Sequence, residues 1–375
     1  MPKGQAQSDA PLHSWRVRLL GWRNRILGSK AFQRHAAANP LLRPIARRRA
    51  GDLFDLVAGF AYTQVLLAMV ESGCLQRLAQ GPADTAELAE AAKLSREAAL
   101  RLMRAAAAIG IAQEAAPGLW MLGRHGAALH GNAGALAMIR HHSLLYADLA
   151  DPLELLRQDR AKPTALSRYW SYVGQDDGAQ VRDTQGYSQL MADSQAAVSQ
   201  EVIAAFPFSR HRALLDIGGG QGAFLRAVGD AHPKLRLGLF DLPDVVDRAP
   251  VGGVSPITGH KGSFFNDPVP QGYDLVSLVR ILHDHDDELA MQLLRNIRAS
   301  LTPGARLLVA EPMAATRGAE AMGDAYFGFY LWAMGSGRPR SPKEIRAMLH
   351  AAGFADTRRI ATHQPLITSL IVARA

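Results

Sequence analysis

"RALLDIGGGQGAFLRAVGDAHP", residues 212–233, joins an apolar run to an amphipathic one through five residues, four of them glycine. Arg212 to Ile217 reads as a buried strand, 218–222 as a turn, and the stretch from Ala223 as a helix. Glycines at such a turn let the backbone approach a ligand, and the helix behind them presents unpaired N–H groups. A nucleotide cofactor fits this arrangement. The spacing Gly218-x-Gly220-x-x-Ala223 also satisfies a loose dinucleotide pattern, so the turn alone leaves the cofactor open.

Two carboxylates narrow the choice. Asp241 ends the next strand, "LRLGLFDLP" (235–243), about twenty residues after the glycines, where an acid accepts hydrogen bonds from ribose hydroxyls. Dinucleotide and adenosylmethionine enzymes both place an acid there. Asp216 lies before the glycines, at the end of the first strand, where it can face the cationic aminoacyl part of S-adenosylmethionine. That position favours adenosylmethionine over NAD.

Further strands alternate with helices downstream. "YDLVSLVRILH" (273–283) reads as a strand ending on His283. "DDELAMQLLRNIRASL" (286–301) reads as a helix with Leu289, Leu293, Leu294, Ile297 and Leu301 inward, and "PGARLLVAEPM" (303–313) as another strand. This alternation predicts a parallel, doubly wound α/β sheet. The last two runs, 356–365 and 368–375, have only a short connection, so an antiparallel pair should close it. Upstream, residues 53–129 are helical in pattern. "TAELAEAAKLSREAALRLMRAAAAIGI" (85–111) reads as helix, turn, helix, with "GLWML" (118–122) as a wing strand. DNA binding is one reading of that unit. The Ala, Leu and Met of its second helix favour burial in a core or a dimer interface instead.

A chain of 375 residues with 48% apolar content can build two cored domains. Its single cysteine, Cys74, excludes intramolecular disulfides and points to a reducing, cytoplasmic setting. No apolar run is expected to reach the ~18 residues of a spanning helix, and no signal-peptide core opens the chain. The net charge of +8 is concentrated: residues 1–50 hold eleven Lys/Arg against one acid, Asp9, and the body is nearly neutral. Within this arm Trp15, Leu19, Trp22 and Ile26 form one helical stripe among arginines. Such a helix suits adsorption to an anionic membrane from the cytoplasmic side, or docking on the same chain or a partner. Nucleic acid is disfavoured, because nothing basic continues into the body.

The strings "LLDIGGGQGAFLRAV", "LGLFDLPDVV", "GSFFNDPVPQGYDLVSLVRILHDHDDE" and "LLVAEPM" together resemble the plant-type small-molecule O-methyltransferases and their bacterial relatives, across roughly residues 50–375. "LFDLVAGFAYTQVLLAMVE", "RHHSLLYADLADP", "YSQLMADSQ" and "GSGRPRSPKEI" narrow the resemblance. They are similar to the hydroxyneurosporene (demethylspheroidene) O-methyltransferases of purple-bacterial carotenoid synthesis. The resemblance implies a Rossmann-like class I methyltransferase domain at 191–375, preceded by a helical, winged-helix-like dimerisation domain at 51–190 and the basic arm at 1–50. It implies a homodimer, S-adenosylmethionine as cofactor, and methylation of the C-1 tertiary hydroxyl of an acyclic carotenoid. A soluble phenol or polyketide hydroxyl is the alternative acceptor. A winged-helix DNA binder with a vestigial cofactor fold is the non-enzymatic alternative.

By the same resemblance, Gly218, Gly219 and Gly220 cradle the aminoacyl end, Asp241 binds ribose, and Arg280 belongs to the cofactor side. Ser263 stands where the family has an acid for the adenine amino group, and Phe264 beside it either stacks on the ring or packs in the core. His283 aligns with the general base and Glu311 with a carboxylate that orients it. The family's second orienting glutamate falls on Pro339, which leaves one carboxylate at most for the imidazole. A tertiary alcohol is far less acidic than a phenol, so its proton must leave as the methyl group arrives. Met191, Phe327, Tyr330 and Met334 are candidates for an apolar substrate pocket or for helix core, and His141 and His142 are expected at the surface. No metal is expected: His283 and His285 share a strand face in this reading, but methyl transfer from a sulfonium needs no Lewis acid. Asp286, Asp287 and Glu288 suit a helix N-terminus, and Asp284 fits either that cap or the site.

Overall fold

The computed structural model describes residues 15–160, 162–169, 184–249 and 255–375, with main chain alone for 184–194. Among the described residues, ten strands form two sheets. A small antiparallel sheet has the order β1 (Ala83–Asp84), β3 (Leu119–Leu122), β2 (Ala112–Ala116). The large sheet contains β4 (Ala213–Ile217), β5 (Arg236–Asp241), β6 (Ile257–Lys261), β7 (Leu275–Val279), β8 (Arg306–Glu311), β9 (Ala355–Ile360) and β10 (Ser369–Arg374). Its order is β6-β5-β4-β7-β8-β10-β9, parallel except that β10 is antiparallel to both β8 and β9. This is the expected doubly wound sheet with its closing pair. One strand of this large sheet has no signal in the sequence: β6, "ITGHK", alternates weakly and is mostly exposed, so the apolar run is missing.

β4 and β7 are buried at every position, which is why they read as continuous apolar runs. Alternate residues feed two cores. Leu215, Ile217, Val276 and Leu278 face one side with Leu293, Leu294 and Ile297. Leu214, Leu275 and Val279 face the other, with Phe208, Phe224 and Leu225. In the helix Asp287–Ser300 the inward position belongs to Ala290, while Leu289, expected inward, is 40% exposed. The chain order reverses direction between β4 and β7. Open α/β sheets bind ligands beyond the carboxyl ends of strands at such a point, and the glycine turn and the His283 loop meet there.

The N-terminal region is helical: α1 (Trp15–Gly28), α2 (Lys30–Ala38), α3 (Arg43–Glu71), α4 (Cys74–Ala79), α5 (Thr85–Ala92) and α6 (Arg96–Ala108), then α7 (Arg124–His130) and α8 (Ala133–Asp148). Asp84 and Glu87 form a capping box on α5, and Ser95 caps α6. Met69, Leu75, Leu88, Met103 and Trp120 close a separate core. The expected divide between residues 190 and 191 lies within one helix, Thr184–Ala205. Contrary to the sequence expectation, α3 is by length and composition long and apolar enough to cross a membrane, with 29 residues. An unbroken helix absorbs Asp55 and the small residues that interrupt the apolar run in the sequence. Leu53, Phe54, Leu56, Val57 and Phe60 of α3 are all exposed.

Candidate active site

The glycine turn is built under steric constraint. Gly218 and Gly220 have φ of 69° and 57°, in the left-handed region that favours glycine. At Gly219 a Cβ would stand 2.4 Å from Oδ2 of Asp216 and 2.8 Å from Leu239, whereas at Gly220 it would meet open space. The turn therefore rests on Asp216 and opens on its other side. Asp216 is buried and accepts from Ser277 Oγ on β7 at 2.5 Å. Burial raises its carboxyl to about 7, against the Ser277 hydrogen bond, and the charge of Asp241 adds to the rise. Asp241, at the end of β5, accepts from Gly220 N at 2.9 Å and from Leu242 N at 2.7 Å. Burial raises its pKa too, and those two N–H groups oppose the rise.

Opposite lies the loop after β7. The strand ends at Val279, and Arg280 turns the chain with φ 60°, its N–H held by Ala310 O at 2.9 Å. His283 thus sits on a short 3₁₀ turn, Leu282–Asp284, rather than at the strand end, and His283 and His285 do not share a strand face. Among the described residues no group of three His, Cys, Asp or Glu is placed to hold a metal. Glu311, ending β8, takes the N–H of Ile281 (3.0 Å) and Leu282 (2.8 Å) on Oε1, and His283 Nδ1 on Oε2. A second carboxylate does reach the imidazole: Asp284 Oδ1 lies 3.0 Å from His283 Nε2. It comes from the adjacent residue, not from the position that Pro339 occupies. Burial favours the neutral ring, but Asp284 and Glu311 outweigh it and hold the His283 pKa well above the usual range.

The loop is belted by a distant segment. Arg340, 2% exposed, donates to Leu282 O at 2.5 Å, His285 O at 2.7 Å and Asp287 Oδ1 at 2.7 Å. Ser336 Oγ donates to Asp284 O, and Asp286 accepts from Arg160 and from Gly337 N. Asp286 is thus the residue preceding the helix, yet its carboxylate ties the loop instead of capping the helix. Sequence reasoning missed Arg340, and nothing local in "GRPRS" signals a partner more than fifty residues away.

Ser263 donates its N–H to Asp267 Oδ2 at 2.7 Å, so the acid of that segment closes its turn. Phe264 packs beside the main core, 3.5 Å from the Cβ position of Gly218, with its ring 5.9 Å from His285. Phe327 stands on a π-helical turn, Met322–Phe327, with its ring 5.9 Å from His283. Tyr330 and Met334 are buried with Leu145, Leu155 and Leu166. The side chain of Met191 lies outside the described residues. His141 is not at the surface: it is buried and bonds Tyr330 Oη at 2.8 Å, and His142 bonds Tyr326 Oη at 2.8 Å. Burial lowers the His141 pKa to about 4 and raises that of Tyr326 to about 12.

One side of the cleft is glycine backbone with two acids, and the other is a buried His–carboxylate cluster beside an aromatic ring. Residues 146–355 match the O-methyltransferase domain family. The chain belongs to this O-methyltransferase family. Demethylspheroidene O-methyltransferase of Rhodobacter capsulatus is 43% identical over 339 residues, covering 89% of this chain and 84% of the relative. The enzyme of that name from Cereibacter sphaeroides is 40% identical, covering 93% of each chain. Among solved structures, a methyltransferase in calicheamicin biosynthesis with bound S-adenosylhomocysteine superposes with a TM-score of 0.73 at 26% identity, covering 87% of this chain and 98% of that one. Human N-acetylserotonin methyltransferase in complex with S-adenosylmethionine gives 0.70 at 22%, covering 87% and 97%, a likeness of fold. The protein is an S-adenosylmethionine-dependent O-methyltransferase of the class I fold, and the turn with its open Gly220 face and Asp241 fits that cofactor.

Proposed function

We propose that this methyltransferase acts on the C-1 tertiary hydroxyl of an acyclic carotenoid such as hydroxyneurosporene or demethylspheroidene. The two purple-bacterial relatives, similar over nearly the whole chain, carry the reading. S-adenosylmethionine supplies an electrophilic methyl group on a sulfonium. Gly218, Gly219 and Gly220 with Asp216, Asp241 and Arg280 would form its cradle, and Ser263 with Phe264 would border the adenine. His283 and Glu311 are the catalytic pair that receives the acceptor hydroxyl. Phe327 next to His283 would guide an apolar chain toward it, with Tyr330 and Met334 backing that wall. Holding oxygen, methyl carbon and sulfur in line would supply much of the rate.

The arm would bring the enzyme to its membrane-dissolved substrate from the cytoplasmic side. Trp15, Leu19 and Trp22 are all more than half exposed among arginines on α1. The exposed face of α3 would instead pack in a homodimer, because Asp52 and Asp55 at its start suit a protein interface better than a bilayer. Labelled adenosylmethionine offered with 1-hydroxy carotenoids and with catechols should label the carotenoids alone. Labelled catechols with unlabelled carotenoids would refute the reading. Deleting residues 1–45 should release the enzyme from anionic vesicles and leave adenosylmethionine binding intact.

A further inference from the structure

One side chain ties the apolar wall to the His283 loop. Arg160 follows the short helix Pro152–Arg157, whose Leu155 packs with Leu166, Tyr330 and Met334. Its Nη1 donates to Asp286 Oδ1 at 2.9 Å and its Nη2 to Gly337 O at 3.0 Å. Gly337 N donates to the same Asp286 oxygen at 3.0 Å, which closes a ring of hydrogen bonds between three segments. The guanidinium also lies 4.9 Å over the ring of Trp332, and Trp332 Nε1 donates to Leu155 O at 3.0 Å. Thr164 Oγ1 donates to Ala333 O at 2.6 Å. Residues 155–164 are thus fastened to the helix Gly328–Met334, which carries Tyr330 and Met334. The guanidinium keeps these partners although its Nε is buried and, among the described residues, unpaired. The side chains of Arg160 and Asp286 are 25% and 53% exposed, and an ion pair so open to water adds little stability. Its consequence is geometric: it sets where Asp286, three residues after His283, stands relative to the wall.

We propose that Arg160 is a positioning residue, the link through which an acceptor chain seated against the wall holds the His283 loop in its reactive place. This rests on the apolar-acceptor reading above. A long chain against Tyr330 and Met334 steadies the helix Gly328–Met334 and with it Trp332. Trp332 and the carbonyl of Gly337 hold the guanidinium, and the guanidinium holds Asp286 and so the loop. Binding energy from the part of the acceptor remote from the hydroxyl is thereby used to place His283, which raises kcat and does not merely lower KM. A short acceptor with the same hydroxyl end leaves the wall empty and gains nothing from the link. The role needs a planar fork: a lysine ammonium cannot serve both acceptors while lying flat on the indole.

Two readouts test this on the full-length protein. In the first, kcat is measured for a 1-hydroxy carotenoid and for a series of shorter aliphatic tertiary alcohols with the same end group. In wild type kcat should rise with chain length. In Arg160→Gln the carotenoid kcat should fall on the order of 10–100-fold and the dependence on length should flatten. Arg160→Lys should recover part of the loss. Asp286→Asn should mimic Arg160→Gln, and the double variant should lose no more than either single one. A wild-type kcat indifferent to length, an equal fractional loss on every acceptor, or an unchanged carotenoid kcat in Arg160→Gln overturns the proposal. In the second, hydrogen exchange is followed by mass spectrometry with S-adenosylhomocysteine bound. Arg160→Gln should quicken exchange at 281–287 and 332–337 together and leave 218–222 as in wild type. Unchanged exchange at 281–287 overturns the link. Should no 1-hydroxy carotenoid be methylated, the carotenoid reading fails instead, and exchange at 281–287 decides the link by itself.

Discussion

The two sides of the cleft are made differently. The cofactor side is local: Gly218 to Gly222 and Asp216 are consecutive, and Asp241 arrives on the neighbouring strand to bind Gly220 N. The acceptor side is assembled from four separate segments. Glu311 comes from β8, His283 and Asp284 from the loop after β7, Arg340 and Ser336 from a segment beyond residue 335, and Arg160 from the helical region. A side built from backbone conformation tolerates little change but is robust to distant ones. A side built from long-range hydrogen bonds depends on each anchor, and so it can be altered without disturbing the cofactor.

Substitutions on each side probe that contrast. Gly219→Ala should have the largest effect, since its Cβ meets Asp216 and Leu239 inside the turn. Overpacking of this kind costs about 1–3 kcal/mol, and calorimetry should find adenosylmethionine binding lost. Gly337→Ala is the counterpart on the acceptor side. Its φ is 83°, and a Cβ there would meet His283 O at 2.1 Å. Turnover should fall steeply while adenosylmethionine affinity stays within about twofold, because Gly337 bears on the His283–Asp286 loop and on Arg160, away from the glycine turn. Equal loss of both would break the comparison.

Smaller effects sharpen it at the rim. Burial holds the His141 pKa at about 4, below its unfolded value, so the unfolded chain binds more protons between about pH 6.5 and 4. Stability is fully present above pH 6.5 and falls as pH drops through that window, by roughly 1–3 kcal/mol after solvent screening. His141→Phe should flatten this part of the stability–pH curve measured by urea unfolding. Phe327→Ala should raise the KM for a long apolar acceptor about tenfold, with a smaller change for adenosylmethionine, as read from initial rates.

The same contrast explains what the sequence discloses. The glycine turn, Asp216, Asp241 and the alternation of β4, β5, β7 and β8 are contiguous signals, and the structure places each close to its expected position. The run 273–283 reads as one strand, whereas His283 stands on a turn beyond the end of β7. An apolar run does not reveal that Arg280 adopts a left-handed φ and ends the strand at Val279. The resemblance puts the second carboxylate for the imidazole at Pro339, while Asp284 brings one from the next residue. Arg340 and the His141–Tyr330 bond join residues 53 or more positions apart, and no periodicity encodes such pairs. Leu289 failed for a local reason: Ala290, too small to mark a hydrophobic stripe, takes the inward place.

The separability of the two sides is tested most directly by Arg340→Gln, with adenosylmethionine affinity and carotenoid turnover measured on the same preparation. Losing the guanidinium frees Leu282 O and His285 O on either side of His283. Affinity should stay within about twofold and turnover should fall on the order of 100-fold, the usual consequence of a displacement near 1 Å at a reacting group. A parallel loss of both, or turnover unchanged in a folded Arg340→Gln protein, would contradict the account.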